Sequence, residues 1–254
     1  MIDDDGYFGE QVAKRYDAST DSEFRPEVVA RTVDFLADLA ERPELAGGAG
    51  AVEFGIGTGR IALPLAERGV PVHGIELSRA MVAELRAKPG GEAIGVTIGD
   101  FATARADGGP FSLAVLVFNT IMNLPTQERQ VACFRNAAAH LAPGGCFVIE
   151  VMVPELRKIP LGQNIVPFAT GPTTYAYTVY DTVTQDATCH YINLAADGRA
   201  ESRSIPFRYV WPAELDLMAQ LAGLRLRERW GGWAREPFTE ASRQHVSVWE
   251  KPVE

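Results

Sequence analysis

Apolar positions along the chain change their period three times, and each change marks a different kind of element. Between Tyr7 and Tyr16, the residues Phe8, Val12 and Tyr16 recur every fourth position, the spacing of one helical face. Pro26 stands where a first helical turn tolerates a missing N–H, and Val29, Val33, Leu36 and Ala40 continue a helical stripe that ends at Gly47-Gly48. From residue 51 onward, short apolar runs alternate with amphipathic stretches. Strands are expected over 51–54, 71–77, 93–98, 113–118 and 146–153, and helices over 60–68, after the N-cap Ser78, and over 126–141. The unbroken run 113–118 fits a strand covered on both faces. Strand–helix alternation of this kind predicts an α/β fold.

The period shortens to two after Val153. Residues 154–172 are rich in Pro and Gly, and β-type alternation then runs over 173–183, 187–194 and 199–211, with Asp197-Gly198 as a turn signal. A helix over 212–222 and strands over 224–230 and 245–251 resume the earlier pattern. The expectation is a doubly wound, mostly parallel, seven-stranded Rossmann-like sheet. It comprises an N-terminal helical cap (1–46), an α/β core (47–153 and 212–254) and an antiparallel β insertion (154–211).

Charge narrows the partners. Lys and Arg number 24 against 33 Asp and Glu, a net charge of −9, which argues against a nucleic-acid partner. The acidic, polar N-terminus is unlike a secretory leader, and no apolar run approaches the ~20 residues that cross a bilayer. The spacing of the cysteines, Cys133, Cys146 and Cys189, matches no zinc or redox pattern. A cytoplasmic protein with neither metal nor membrane partner is expected.

The strongest chemical signal is Val52-Glu-Phe-Gly-Ile-Gly-Thr-Gly-Arg60. A strand delivers Gly55, Gly57 and Gly59 to a strand-to-helix turn, the place where doubly wound folds bind ligands. The third glycine comes one residue early for a dinucleotide fingerprint, and Glu53 would repel a pyrophosphate while attracting a cation. Glu76 ends the second strand, where an acid accepts ribose hydroxyls. After the third strand, Asp100 is placed to accept from an exocyclic amine and Phe101 to stack on a purine, while 117–120 puts polar groups at the mouth of the sheet.

With EFGIGTG, GIELS, IGDF and LAPGG in this order, the chain resembles the class I S-adenosylmethionine-dependent methyltransferases over 50–153 and 212–251. The resemblance implies that Glu53, Gly55, Ile56, Gly57 and Gly59 hold the methionine moiety of S-adenosylmethionine. It implies that Glu76, with Leu77 and Met81, holds the ribose, and that Gly99, Asp100 and Phe101 hold the adenine. Tyr16, Arg25, Phe118 and Asn119 complete this expected cofactor set. The Tyr16-Asp17 segment and the inserted sheet look like the amino-sugar N-methyltransferases of natural-product pathways, which implies a small-molecule acceptor.

The acceptor side is less defined. Tyr7, Met122, Asn123, Arg208, Trp211, Trp233 and Arg235 are expected to line its pocket, with Arg208 holding an acidic group. Tyr16 and Asn119 are expected at the transferred methyl, His190 and His245 are the candidate bases, and His140 is expected on a helix surface. Methyl transfer from a sulfonium needs positioning more than a protein nucleophile, which favours an amine acceptor over a hydroxyl. A hydroxyl acceptor, a nicotinamide-dependent oxidoreductase, a non-catalytic cofactor-binding protein and an RNA methyltransferase are the weighed alternatives. The aromatic face over 205–211 is expected to pack on the core or to build a homodimer.

Overall fold

A computed structural model describes residues 6–18, 22–42, 47–195 and 197–253, so parts of the expected cap (1–5, 19–21 and 43–46) lie outside the described residues. Six α-helices are described: α1 (Glu10–Tyr16), α2 (Pro26–Ala40), α3 (Ala62–Glu67), α4 (Arg79–Arg86), α5 (Gln127–His140) and α6 (Pro212–Leu221). The expected caps act as such. Pro26 opens α2, and the Ser78 hydroxyl accepts the Met81 N–H at 3.1 Å to start α4.

The main sheet has seven strands in the order β10-β11-β5-β4-β1-β2-β3. Its members are β1 (Ala51–Phe54), β2 (Val72–Glu76), β3 (Gly95–Ile98), β4 (Phe111–Leu116), β5 (Leu141–Met152), β10 (Arg225–Trp230) and β11 (Gln244–Glu250). The pairs from β3 to β5 are parallel, and β11 runs antiparallel to both β5 and β10. All six residues of β4 are buried, as its apolar run predicts. On one face, Val33, Leu36 and Leu39 of α2 and Leu65 of α3 cover Ala51, Leu113, Val115 and Val148. On the other, Phe134 of α5 and Met218 of α6 cover Phe54, Leu116, Phe147 and Trp249. Parallel strands place the turns after β1, β2, β3 and β4 along one edge, which is where a site is expected.

A second, antiparallel sheet follows β5, in the order β6-β7-β8-β9: β6 (Ile165–Thr170), β7 (Thr174–Tyr180), β8 (Asp186–Leu194) and β9 (Ala200–Arg208). The Pro- and Gly-rich stretch 154–172 thus contains a strand that the pattern conceals. As an edge strand β6 has one neighbour, and a register shift between Pro167 and Ala169 accommodates the proline.

Two further expectations are corrected. Pro143-Gly144-Gly145 does not separate α5 from a strand beginning at 146. Strand β5 begins at Leu141 and passes through these residues, with Gly144 at φ 82°. His140 is not on the surface. Its ring is buried, 5.7 Å from the Phe54 ring, with Nδ1 on the Asn136 carbonyl and Nε2 accepting the Ala106 N–H.

Candidate active site

The glycine turn after β1 uses its own amides to hold its shape. Gly55 and Ile56 donate to the Ile75 carbonyl at 2.8 and 3.3 Å, and Gly59 donates to Ile56 at 3.0 Å. Gly57 donates to Glu76 Oε2 at 2.8 Å, and the other oxygen of Glu76 accepts the Ser78 N–H at 2.9 Å. A pyrophosphate site would aim these N–H groups at the ligand. Gly57, at φ 56°, is in the left-handed region, and a Cβ built on Gly55 would lie 2.9 Å from the Thr120 methyl of the turn after β4. Ile56 is buried against Ala62, Leu85 and Ile94, so only its backbone faces the turn.

Glu53 is 4% exposed, and its Oε2 has no hydrogen-bond partner. Burial raises its pKa to about 8, the nearby Glu76 adds to the rise, and Arg60 and the Ala62 N–H oppose it. A buried carboxylate with an unsatisfied oxygen calls for a cation, and the ammonium of a methionine moiety is one. Leu77 and Ile98 are exposed beside Gly99 and offer apolar walls to a purine, and Met81 is buried behind Gly57. The donor set and the glycine cradle therefore fit S-adenosylmethionine. The Asp100 carboxylate differs from expectation. It accepts the Ala102 N–H and pairs with Arg129 of α5, a residue the motif does not reveal. Phe101 is half-buried, its ring 6.1 Å from Phe54.

The cap is laced onto this turn. The Ser78 hydroxyl donates to the Phe8 carbonyl at 2.7 Å, and Asp17 accepts from Thr58 at 2.6 Å and pairs with Lys88 at 2.5 Å. Tyr16 packs edge-on to Phe8 and Phe24, and Phe24 packs edge-on to Phe118. Arg60 lies 5.1 Å from the ring centres of both Phe24 and Phe118 and donates to the Glu23 carbonyl at 2.7 Å. Arg25 stands exposed at the N-cap of α2, and Tyr7 is exposed as well.

Strain marks the turn after β4. Phe118 and Asn119 are consecutive non-glycine residues at φ 58° and 59°, a conformation that costs ~1–3 kcal/mol each and persists where surrounding bonds dictate it. Those bonds come from β5. Phe118 N–H donates to Glu150 Oε2 at 3.0 Å, Asn119 N–H donates to the Glu150 carbonyl at 3.2 Å, and Met152 N–H donates to Asn119 Oδ1 at 2.7 Å. Beside this lacing is a cavity of about 160 Å3 lined by Glu23, Asn119, Glu150, Met152, Glu155 and Arg243, among others. Burial raises the pKa of Glu150, opposed by the Phe118 N–H, Arg60 and the Trp233 side chain, while Glu23 adds to the rise. Glu23, Glu150 and Glu155 were missed as candidates. Only Glu150 leaves a sequence signal, as a charge inside the apolar run 146–153.

Several expected acceptor residues are occupied elsewhere. Arg208 is 5% exposed and bonds Gln130 of α5 at 2.6 Å and Glu214 of α6 at 2.8 Å, so its guanidinium clamps the second sheet to the core. Arg235 lies 4.7 Å over Phe35 and pairs with Asp38 of α2 at 3.4 Å. Trp233 is buried against Phe35, where its side chain helps to lower the pKa of Glu150. Met122 is buried, Asn123 is half-buried, and Trp211 is 38% exposed at the N-cap of α6. His245 is a poor base. It is wholly buried, with Nδ1 on Ser247 at 2.7 Å, and desolvation first, then Arg229, lowers its pKa to about 3 against the pull of Asp216. His190 stacks on Tyr177 and bonds Ser204, both in the second sheet.

Comparison with known proteins agrees with this geometry. A methyltransferase-domain family model matches residues 51–145. The CcbJ methyltransferase of Streptomyces caelestis is 34% identical, with 97% of this chain and 98% of that chain covered and a TM-score of 0.83. The cypemycin N-terminal methyltransferase of a Streptomyces species is 28% identical over 207 residues, 80% of this chain and 84% of that protein. The S-adenosylmethionine-bound amino pentose methyltransferase CalS10 of Micromonospora echinaspora is 22% identical and shares the fold, with a TM-score of 0.65 over 96% of this chain and 98% of that one. With its glycine turn, its two flanking carboxylates and a relative matched end to end, the chain belongs to the S-adenosylmethionine-dependent methyltransferases.

Proposed function

We propose that this enzyme methylates an amine nitrogen of a small molecule. The observation that carries the reading is the cavity at the end of β4 and β5, where Glu23, Glu150 and Glu155 line a space of about 160 Å3. Carboxylates attract an ammonium and disfavour an anionic acceptor. The name of the cypemycin relative, an N-terminal methyltransferase, supports a nitrogen acceptor.

S-adenosylmethionine, when bound, supplies a methyl group activated by a sulfonium. The chain's own residues position the partners. Glu53, the glycine turn and Glu76 hold the cofactor. The Phe118-Asn119 turn, fixed from β5, sets one wall between cofactor and acceptor. Holding reacting atoms about 3 Å apart and in line supplies much of the rate enhancement. The second sheet roofs the acceptor, a reading supported by its place in the chain, since it follows β5, whose Glu150 and Met152 line the cavity.

Matched probes test the nitrogen assignment. The enzyme is incubated with labelled S-adenosylmethionine and either alanyl-alanine or methyl glucosaminide, with lactyl-alanine and methyl glucoside as hydroxyl counterparts. Label on nitrogen in the amine probes alone is the expected result. Label on oxygen would overturn the assignment and leave the methyltransferase identity intact.

A further inference from the structure

Two buried carboxylates occupy the same face of the main sheet. In the register, Glu53 of β1 is opposite Val115 of β4, and Val115 is opposite Val148 of β5. Glu150 is two residues beyond Val148, so strand alternation turns it to the face that Glu53 also occupies. The strand β4 lies between them and ends in the strained turn whose Phe118 N–H is bonded to Glu150. Arg60 reaches both carboxylates electrostatically. The face thus carries one acid at the glycine turn and a second at the cavity, one strand beyond β4.

On the reading that the acceptor is an amine, we infer that Glu150 is the group that meets it: Glu150 holds the acceptor's ammonium beside the reacting centre and takes its proton. One N–H bond of the ammonium breaks, and the proton goes to the carboxylate. The nitrogen lone pair then forms the N–C bond to the methyl as the C–S bond breaks, and sulfur keeps that electron pair. The methylated ammonium leaves, and the proton on Glu150 passes to water. Three observations support this assignment. Glu150 lines the cavity and is 5% exposed, so an ion held there is poorly screened. Its burial keeps it more basic than a surface carboxylate. Neither histidine once considered as a base is available, since His245 is enclosed and His190 is engaged within the second sheet. The charged groups facing Glu150 are Arg60 beyond the glycine turn and Glu23 of the cap, with Glu155 and Arg243 across the cavity.

Sinefungin provides a probe that requires no known acceptor. It is an S-adenosylmethionine analogue with a protonated amine in place of the methylsulfonium, whereas S-adenosylhomocysteine has an uncharged thioether there. Both share the methionine ammonium, so the contribution of Glu53 cancels in their ratio. Calorimetry on the whole protein should show sinefungin binding at least tenfold more tightly than S-adenosylhomocysteine. In Glu150→Gln that preference should shrink below threefold while S-adenosylhomocysteine affinity stays within threefold of wild type. A wild-type preference below threefold, or one that survives in Glu150→Gln, overturns the inference. If the Gln variant does not fold, Glu150→Ala, which also removes the charge, serves in its place, and a preference that survives there overturns the inference equally. Oxygen-labelled product with the matched probes would instead overturn the nitrogen reading, whatever the sinefungin ratio shows.

Discussion

On the proposed function, the cofactor half and the acceptor half of the site are built in opposite ways. The proposed cofactor side draws Glu53, the glycine turn, Glu76 and the loop after β3 from fewer than fifty consecutive residues, each at the end of a parallel strand. The acceptor side gathers Glu23 from the cap, Asn119 after β4, Glu150 and Glu155 at and beyond the end of β5, and Arg243 before β11. A ligand gripped at successive strand ends leaves an ordered trail in the chain. A pocket closed by segments far apart in sequence does not. The two halves meet at the turn after β4, where Gly55 approaches Thr120 and Phe118 is bonded to Glu150.

If the halves are separable, damage to one should spare the other, and the largest effect is expected at their attachment. Arg208→Ala leaves the Glu214 carboxylate without its buried partner, and breaking such a pair costs about 3–5 kcal/mol. Denaturant unfolding should show that loss, while the fraction that remains folded binds S-adenosylmethionine normally. Restored stability in Arg208→Met combined with Glu214→Leu would show that the pair positions the sheet more than it stabilises it. A drop in cofactor affinity in folded Arg208→Ala would instead break the separation.

Next in size is Glu76→Ala. It removes two backbone hydrogen bonds to a carboxylate as well as the expected ribose contact, and bonds to charged groups contribute about 1.5–3 kcal/mol each. Calorimetry should report S-adenosylmethionine affinity reduced by about 100-fold, with no change in the second sheet. An affinity within threefold of wild type would place Glu76 outside the cofactor site.

The pH response separates the buried acids from the rest. The pKa of Glu53 is raised by burial from 4.5 to about 8 in the folded chain. An acid raised on folding stabilises the fold below its unfolded pKa, and that contribution is lost as pH rises through the folded value. The Tm of the cofactor-free protein should therefore fall between about pH 5 and pH 8, and Glu53→Gln should flatten the slope. A slope unchanged in the variant would assign the effect elsewhere. His245 acts on the acid side. Its pKa is lowered to about 3, so its contribution is present above the unfolded pKa of a histidine and is lost as pH falls toward 3. The smallest effect is expected at Arg235→Ala. Its ion pair with Asp38 is partly exposed, and such pairs contribute under about 1 kcal/mol. Turnover should remain unchanged with the matched amine probes, and a fall of tenfold would return Arg235 to the acceptor pocket.

The strand–helix alternation, the strand covered on both faces and the glycine turn after β1 were legible because each leaves a local mark. The run of β4 is apolar on both faces, Ser78 and Pro26 open their helices, and the glycines admit the left-handed backbone of the turn. Strand β6 was hidden because an edge strand tolerates Pro167, which pattern alone reads as a loop. Arg129 escaped notice because a surface-type Arg on a helix carries no mark of the acid it will reach.

Sequence by itself determined the α/β alternation, the position of the glycine turn and the two acids that flank it, since hydrophobic period and backbone conformation are properties of adjacent residues. Tertiary structure alone decided which polar groups are consumed and which face the site. Arg208 and Arg235 looked like ligands for an acceptor until Glu214, Gln130 and Asp38 were found beside them. Glu150, a charge inside the apolar run 146–153, acquires its meaning only from its neighbours, the Phe118 N–H, Arg60 and the cavity. The physical reason is that desolvation and pairing depend on what surrounds a charge in space, and those neighbours come from segments that share no local pattern.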